Sequence, residues 1–107
     1  MKLELKTQGL TAAAGLRAQV EERLDAALGR LAHRVSGLRV RLADVNGPRG
    51  GIDIQCHIEA AMPRHGVLRA RSTAASVQAA LADASRRLAH TLSRRVGRLA
   101  QRRRGRR

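Results

Sequence analysis

The sequence predicts an α+β fold in which a four-stranded mixed sheet carries two helices packed on one face, in the order β-α-β-β-β-α. Four short segments alternate apolar and polar residues, as half-buried strands do. Two longer segments repeat apolar residues at helical spacing. Each predicted strand has one apolar face, so both helices are expected to cover the same side of the sheet. At 107 residues the chain has room for a single domain.

The first strand and the first helix account for the opening third of the chain. Residues 2–6, KLELK, alternate in the way that predicts a strand. Helix one is predicted over about residues 12–34, with Thr11 as its N-cap and Gly37 marking its exit. The apolar positions that recur at helical spacing are Leu16, Val20, Leu24, Ala27, Leu28 and Leu31.

Three further strands are predicted over residues 38–45, 52–60 and 67–72. The clearest is IDIQCHIEA, where Ile52, Ile54, Cys56 and Ile58 share one face. The loop NGPRGG precedes this strand and the turn MPRHG follows it. The first two strands are joined through a helix and are expected to be parallel by a right-handed crossover, whereas the remaining strands form an antiparallel meander.

Helix two is predicted over about residues 74–100, capped by Ser72 or Thr73. Its apolar set is Val77, Leu81, Ala84, Leu88, Leu92, Val96 and Leu99. At a rise of 1.5 Å per residue such a helix is about 40 Å long, so its C-terminal end is expected to project beyond the sheet. The apolar period ends near residue 99, which predicts a domain over residues 1–100 and a basic, disordered tail over residues 101–107.

The charge balance points to a polyanionic partner. The chain carries 22 basic and 8 acidic residues, a net charge of +14. Lysine occurs only at positions 2 and 6, so 20 of the 22 basic side chains are arginine. Arginine favours bidentate contacts with phosphate. Because the chain has no Phe, Tyr or Trp with which to stack bases, the expected target is structured RNA, bound through its backbone and shape.

The arginines fall mainly on the two helices. On a helical wheel one basic ridge follows each helix, with no acidic residues offsetting the run on helix two. The candidate RNA-binding residues are Arg17, Arg23, Arg30, Arg34, Arg86, Arg87, Arg94, Arg95 and Arg98. The two ridges are expected to converge above the sheet. On the outer face of the sheet, arginines alternate with Glu4, Asp53 and Glu59, and cross-strand ion pairs are expected to neutralise much of that face. Contact with a polyanion is therefore expected first at the two helical ridges and the C-terminal tail, and second at the sheet face.

Other classes of function find little support in the sequence. Cys56 and His57 are adjacent on a strand and point to opposite faces, so they cannot share a metal ion. No nucleophile motif or phosphate-binding loop is present, so no enzymatic activity, cofactor or small-molecule substrate is expected. The single cysteine suits a reducing compartment, and no signal peptide or membrane span is recognisable. A cytoplasmic protein is expected, monomeric when it is not bound to its partner.

The sequence resembles the ribosome hibernation-promoting factors, also called ribosome-associated inhibitors or sigma-54 modulation proteins, in their short form. The residues that carry the resemblance are Thr11, Leu16-Arg17, Val20, Arg23, Leu68-Arg69-Ala70, Ala79-Ala80-Leu81, Arg87-Leu88 and Leu92. Members usually open helix two with an acidic residue and an Asp-Met-Tyr element, where this chain has Thr73, Ser76, Val77 and Gln78.

The resemblance implies a nonenzymatic stress and stationary-phase factor with a fold similar to the double-stranded RNA-binding domain. Such a factor binds rRNA in the decoding region of the small ribosomal subunit and sterically blocks tRNA and mRNA. Two alternatives remain open from the residues alone. One is a general structured-RNA or DNA-binding module, and the other is a protein-interaction modulator of transcription that uses the outer face of the sheet.

Overall fold

The computed structural model describes residues 2–10, 13–46 and 53–104, with side chains up to residue 98. Four strands, two α-helices and one 3-10 helix follow one another in the predicted β-α-β-β-β-α order. Their bounds are β1 Lys2–Gln8, α1 Leu16–Leu28, the 3-10 helix Gly29–Arg34, β2 Gly37–Asp44, β3 Ile54–Met62, β4 Gly66–Ala74 and α2 Val77–Arg104.

The strands form one mixed sheet in the order β1-β2-β3-β4. Strands β1 and β2 are parallel, and β2, β3 and β4 form an antiparallel meander, which confirms the predicted topology. The β3–β4 turn uses two residues with positive φ, Arg64 at 70° and Gly66 at 82°. Strands β1 and β4 are the two edges of the sheet.

The core lies between the inner face of the sheet and the two α-helices. Alternate residues of each strand are buried, and in β3 these are Ile54, Cys56, Ile58, Ala60 and Met62. The helices bury their own stripes against this face, with Leu16, Val20, Leu24 and Leu28 from α1 and Ala80, Leu81, Ala84, Leu88 and Leu92 from α2. The core is therefore made of aliphatic side chains, one cysteine and one methionine, and both helices cover the same side, as predicted.

Helix one is shorter than predicted. It is α-helical only over Leu16–Leu28, because Gly29 takes φ 55° and ψ −132°, a conformation that an L side chain rarely adopts. The chain continues as a 3-10 helix to Arg34, and Gly37 is already the first residue of β2. Gly29, and not Gly37, therefore marks the exit from the α-helix. The predicted cap Thr11 and the strand residue Ile52 lie outside the described residues.

Both ends of helix two also differ from the prediction. Ser72 and Thr73 do not cap it, because strand β4 continues through Ala74. The capping residue is Ser76, whose hydroxyl accepts a hydrogen bond from the backbone N–H of Ala79 at 3.1 Å. At the other end, α2 continues to Arg104, four residues past the predicted end, so the helix extends into the segment that the sequence assigns to a basic tail. Residues 105–107 lie outside the described part of the chain.

Candidate RNA interface

The four arginines predicted on helix one do not lie on one continuous ridge. Arg17 and Arg23 belong to α1, whereas Arg30 and Arg34 belong to the 3-10 helix that follows Gly29. A 3-10 helix has about 3.0 residues per turn instead of 3.6, so the α-helical spacing stops at Leu28. All four side chains are exposed. The predicted ridge is therefore divided into two consecutive basic segments, one on α1 and one on the 3-10 helix.

Arg17 is held by its own molecule. Its Nη2 donates a hydrogen bond of 2.6 Å to the backbone carbonyl of Leu3, and its Nε lies 3.3 Å from the Glu21 carboxylate one turn later. The two side chains remain 58% and 51% exposed, so the ion pair is of the solvent-screened kind that contributes little to stability. Arg17 therefore anchors α1 to β1 while leaving much of its guanidinium accessible.

Asp83 forms a polar cluster on α2 with Arg86 and Arg87. The Ser72 hydroxyl donates to Asp83 Oδ2 at 2.5 Å, Arg86 Nη2 donates to Oδ1, and Arg87 Nη2 lies 3.2 Å from Oδ2. The hydrogen bond from Ser72 lowers the pKa of the Asp83 carboxyl, and the charges of Arg87 and Arg86 lower it further. The interpretation that no acid offsets the basic run on helix two is therefore wrong at this position. The i+3 and i+4 spacing of both arginines from Asp83 is visible in the sequence.

The second half of α2 presents three further arginines. Arg95 is half-buried, and its Nη1 donates to the backbone carbonyl of His65 in the β3–β4 turn at 3.3 Å. Arg94 and Arg98 are exposed and lie about 6 Å apart along the helix axis. Among the residues with described side chains, neither of these two has an ion-pair or hydrogen-bond partner. Their charges are available to a ligand.

Five of the nine predicted arginines thus stay exposed without a carboxylate partner in the described ranges. They are Arg23, Arg30, Arg34, Arg94 and Arg98. Arg23 borders a groove between the helices that is also lined by Glu22, Gln19 and Ala26 of α1 and by Gln78 and Leu81 of α2. From Leu81 to Arg94 is 13 residues, or about 20 Å along α2, so Arg23 and Arg94 border different stretches of that helix.

The outer face of the sheet carries predicted cross-strand ion pairs at Glu4 and Glu59, whereas the Asp53 carboxylate accepts a hydrogen bond from the Asn46 side chain. Arg39 Nε lies 3.1 Å from a Glu4 carboxylate oxygen, and Arg69 Nε lies 3.6 Å from Glu59. The same face also holds Lys6, Arg41, His57 and Arg71, which the sequence analysis did not include among the candidate RNA-binding residues. Their proximity depends on the strand register, which the sequence pattern alone does not give.

Among the described residues, the cysteine and the possible metal-ligating side chains do not form a further site. Cys56 is fully buried, and burial raises the pKa of its thiol to about 12. Within the described ranges, no group of three or more His, Cys, Asp or Glu side chains could hold a metal ion. No helix in this part of the chain has a stretch long and apolar enough to cross a membrane.

Comparison with solved structures shows that the fold is shared with proteins of low sequence identity. A ribosomal subunit interface protein from Coxiella burnetii superposes with a TM-score of 0.78 at 13% identity, over 91% of this chain and 99% of that one. The N-terminal domain of Protein Y from Thermus thermophilus superposes with a TM-score of 0.68 at 22% identity, over 88% and 98%. No curated protein matches by sequence.

The amino-acid sequence itself matches a protein family. The sequence profile described as sigma 54 modulation protein / S30EA ribosomal protein matches residues 3–100, which is nearly the whole described fold. This confirms the resemblance to the hibernation-promoting factors found in the sequence. The chain belongs to the sigma 54 modulation protein / S30EA ribosomal protein family.

Proposed function

We propose that this protein is a ribosome hibernation factor that binds rRNA in the decoding region of the small subunit and reversibly blocks tRNA and mRNA. The family match and its structural neighbours, which include a ribosomal subunit interface protein, support association with the ribosome. Binding there would be a stress or stationary-phase response in the cytoplasm. The proposal needs no chemical step and no cofactor, because occupancy alone stops translation.

The observation that carries the proposal is the set of exposed, carboxylate-free arginines on the helical side of the domain. Arg23, Arg30, Arg34, Arg94 and Arg98 project from elements that pack against a single rigid core. Phosphate contacts made by such side chains release counterions and give binding that weakens steeply with salt. Arg17, Arg86, Arg87 and Arg95 already have partners within the molecule, so we assign them secondary contacts.

Cosedimentation with purified small subunits across a salt series tests the contact. Replacing two phosphate-contacting side chains in Arg94→Gln/Arg98→Gln should reduce the salt slope of log K by about 2. The matched control is Arg39→Gln/Arg69→Gln, which removes the same charge from two arginines that are ion-paired on the outer sheet face. Unchanged affinity and slope in the helical variant, with the fold intact by circular dichroism, would contradict the proposed contact.

Competition separates ribosome-specific binding from the general nucleic-acid-binding alternative. A hibernation factor should stay on small subunits in the presence of excess bulk duplex RNA, whereas a general module should be removed. The steric step is measured by filter binding of labelled tRNA to small subunits that carry a synthetic message. Saturating protein should displace the tRNA, and full retention of tRNA on protein-saturated subunits would refute the blocking mechanism.

A further inference from the structure

One row of residues across the outer face of the sheet differs in charge from its neighbours. The register pairs Lys6 with Arg41, Arg41 with His57, and His57 with Arg71, so these four side chains lie side by side across all four strands. We call them the basic row. With strands about 4.8 Å apart, the row spans about 14 Å. Lys6, Arg41 and Arg71 are exposed, and His57 is half-buried.

The adjacent row shows what a self-neutralised arrangement looks like on the same face. There the register aligns Glu4, Arg39, Glu59 and Arg69, so that acids and bases alternate across the four strands. Arg39 pairs with Glu4 and Arg69 pairs with Glu59. We call this the paired row. Its two carboxylates each have an arginine partner within the row.

No ion pair joins the basic row to a carboxylate of the described residues, although Asp44 lines a depression beside Arg41 and His57. Arg41 Nη2 donates to the side-chain oxygen of Gln8, a neutral acceptor that fixes the guanidinium without cancelling its charge. Lys6 and Arg71 have no ion pair with any described residue. On its other side the basic row adjoins a row without charge, made of Gln8, Ala43, Gln55 and Thr73.

Like charges placed directly across strands oppose sheet formation, so the neighbouring Lys6 and Arg41 are unfavourable for the isolated domain. A chain of phosphates would remove that repulsion, because its negative charges can lie along the cationic side chains of the row. Lys6, Arg41 and His57 border one depression on the face, together with Arg39 and Glu59 of the paired row, so such a chain can cross three strands there.

The chemistry of the face favours RNA over a protein partner. Protein interfaces are built around a desolvated apolar centre that is rich in aromatic residues. This chain has no Phe, Tyr or Trp with which to build such a centre. In the described chain the only large hydrophobic side chains that are exposed are Val45 and Val67, and neither belongs to the basic row. Nucleic-acid interfaces are instead polar and strongly basic.

We propose that the outer face of the sheet binds an RNA sugar–phosphate backbone through Lys6, Arg41, His57 and Arg71, as a second RNA surface opposite the helices. The inference rests on the proposed function, because it assigns a second contact to a protein already placed on rRNA. A domain with RNA on both faces is held between two strands of RNA and is not merely attached to one.

The basic row is joined to the helical side at the β4 edge. Arg87 Nη1 of α2 donates a hydrogen bond of 2.8 Å to the backbone carbonyl of Arg71, the last residue of the row. This contact places an α2 guanidinium beside the end of the row. The guanidinium of Arg87, which is also ion-paired with Asp83, therefore connects the end of the basic row to α2.

The paired row supplies the control for the test. Arg41→Gln/Arg71→Gln and Arg39→Gln/Arg69→Gln each remove two arginines from β2 and β4 on the same face, and both lower the net charge from +14 by two. Affinity for purified small subunits is measured for both variants and for the wild type over a salt series. Melting curves establish that each variant is folded.

The basic-row variant should lower the salt slope of log K by about 2, and the paired-row variant by less than about 0.5. A slope lower by 2 means that, over a fourfold rise in salt, the wild type loses about sixteenfold more affinity than the basic-row variant. Equal effects of the two variants would show a response to net charge alone and would overturn the inference. No effect of the basic-row variant would overturn it as well.

Two further arms identify the partner and separate this inference from the proposed function. The same difference in slope should appear with protein-free small-subunit rRNA, and a difference confined to intact subunits would indicate an acidic ribosomal protein and reject RNA. If Arg94→Gln/Arg98→Gln weakens binding while the basic-row variant does not, the proposed function stands and the second surface fails. If neither variant weakens binding, the proposed function itself fails.

Discussion

Raising the pH above about 9 should destabilise this domain through the single cysteine. Cys56 is the third residue of β3, on the inner face of the sheet, and is fully buried between the strands and the helices. Burial raises the pKa of its thiol from 9.0 to about 12, because a thiolate in an apolar environment loses its hydration. The folded protein therefore keeps the proton at a pH where the unfolded chain releases it.

The size of the effect follows from linkage. A group whose pKa is raised on folding contributes stability that is present below the unfolded pKa and is lost as the pH rises towards the folded pKa. At a pH 1.5 units above the unfolded value of 9.0, ionisation favours the unfolded chain by about 2 kcal/mol. The loss continues to grow until the pH approaches about 12, where the buried thiol also ionises.

The measurement is urea unfolding followed by far-ultraviolet circular dichroism, at about one unit below and 1.5 units above the ordinary thiol pKa. Cys56→Ala is the control, because it removes the titrating group while keeping a small apolar side chain. The wild type should lose about 2 kcal/mol more than the variant between the two pH values. Equal losses in both proteins would refute the assignment of the effect to Cys56.

Three further changes test the packing and the polar clusters. Ser85→Ala should stabilise the protein by about 1 kcal/mol, because the buried Ser85 hydroxyl has no hydrogen-bond partner among the described residues and alanine favours helices; thermal melts check this. Gly29→Ala should destabilise it by about 1–3 kcal/mol through the strained φ of 55°, whereas Gly97→Ala, in open space within α2, should stabilise it by up to about 1 kcal/mol. Thermal melts of the two glycine variants should therefore show Tm shifts of opposite sign. Shifts of the same sign would contradict the assignment of the effect to the backbone conformation of Gly29. Asp83→Asn should lower Tm at neutral pH, because the pKa of Asp83 is depressed by Ser72, Arg87 and Arg86; this difference from the wild type should vanish as the pH falls below about 4, and a difference that persists in acid would exclude the carboxylate as its source.

The strands were predictable because the alternation of apolar and polar residues that defines them is a property of neighbouring residues. The alternation that predicts β3 places Ile54, Cys56 and Ile58 on one face, and all three are buried. A half-buried strand needs only a period of two and suitable turns, both of which are legible in the sequence. The topology followed as well, since a helix between two strands requires a parallel crossover and short loops require antiparallel pairs.

The ends of the helices were less predictable because the local pattern was ambiguous there. The apolar period of helix one runs through Leu31, yet Leu31 is only half-buried and the α-helix stops at Leu28. Gly29 is the local feature that could have indicated this end. For helix two, Ser72 is a suitable capping residue by type, but it belongs to strand β4. Its buried hydroxyl donates a hydrogen bond to Asp83 of α2 instead of capping the helix. Tertiary contacts override a local capping preference there.

The candidate site was predictable only as a list of exposed basic residues. The sequence could not divide that list into free and engaged members, because the engagement of Arg95 depends on the carbonyl of His65, thirty residues away. The basic row could not be predicted from the sequence for the same reason. Arg41 and Arg71 meet His57 only through pairings of strands distant in sequence.

Two arginines of α2, Arg87 and Arg95, donate hydrogen bonds to backbone carbonyls on the β4 side of the sheet. These contacts affect how readily the protein can associate with a second copy of itself. An uncovered edge strand offers free backbone acceptors that a second copy can use for strand addition, the first step of ordered aggregation. Arg87 covers the carbonyl of Arg71 in β4, and Arg95 covers that of His65 in the turn before it. If RNA binding, as proposed, draws Arg87 away, one of those acceptors is uncovered, so in that case the same guanidinium would cover β4 in the free protein and contact RNA in the bound one.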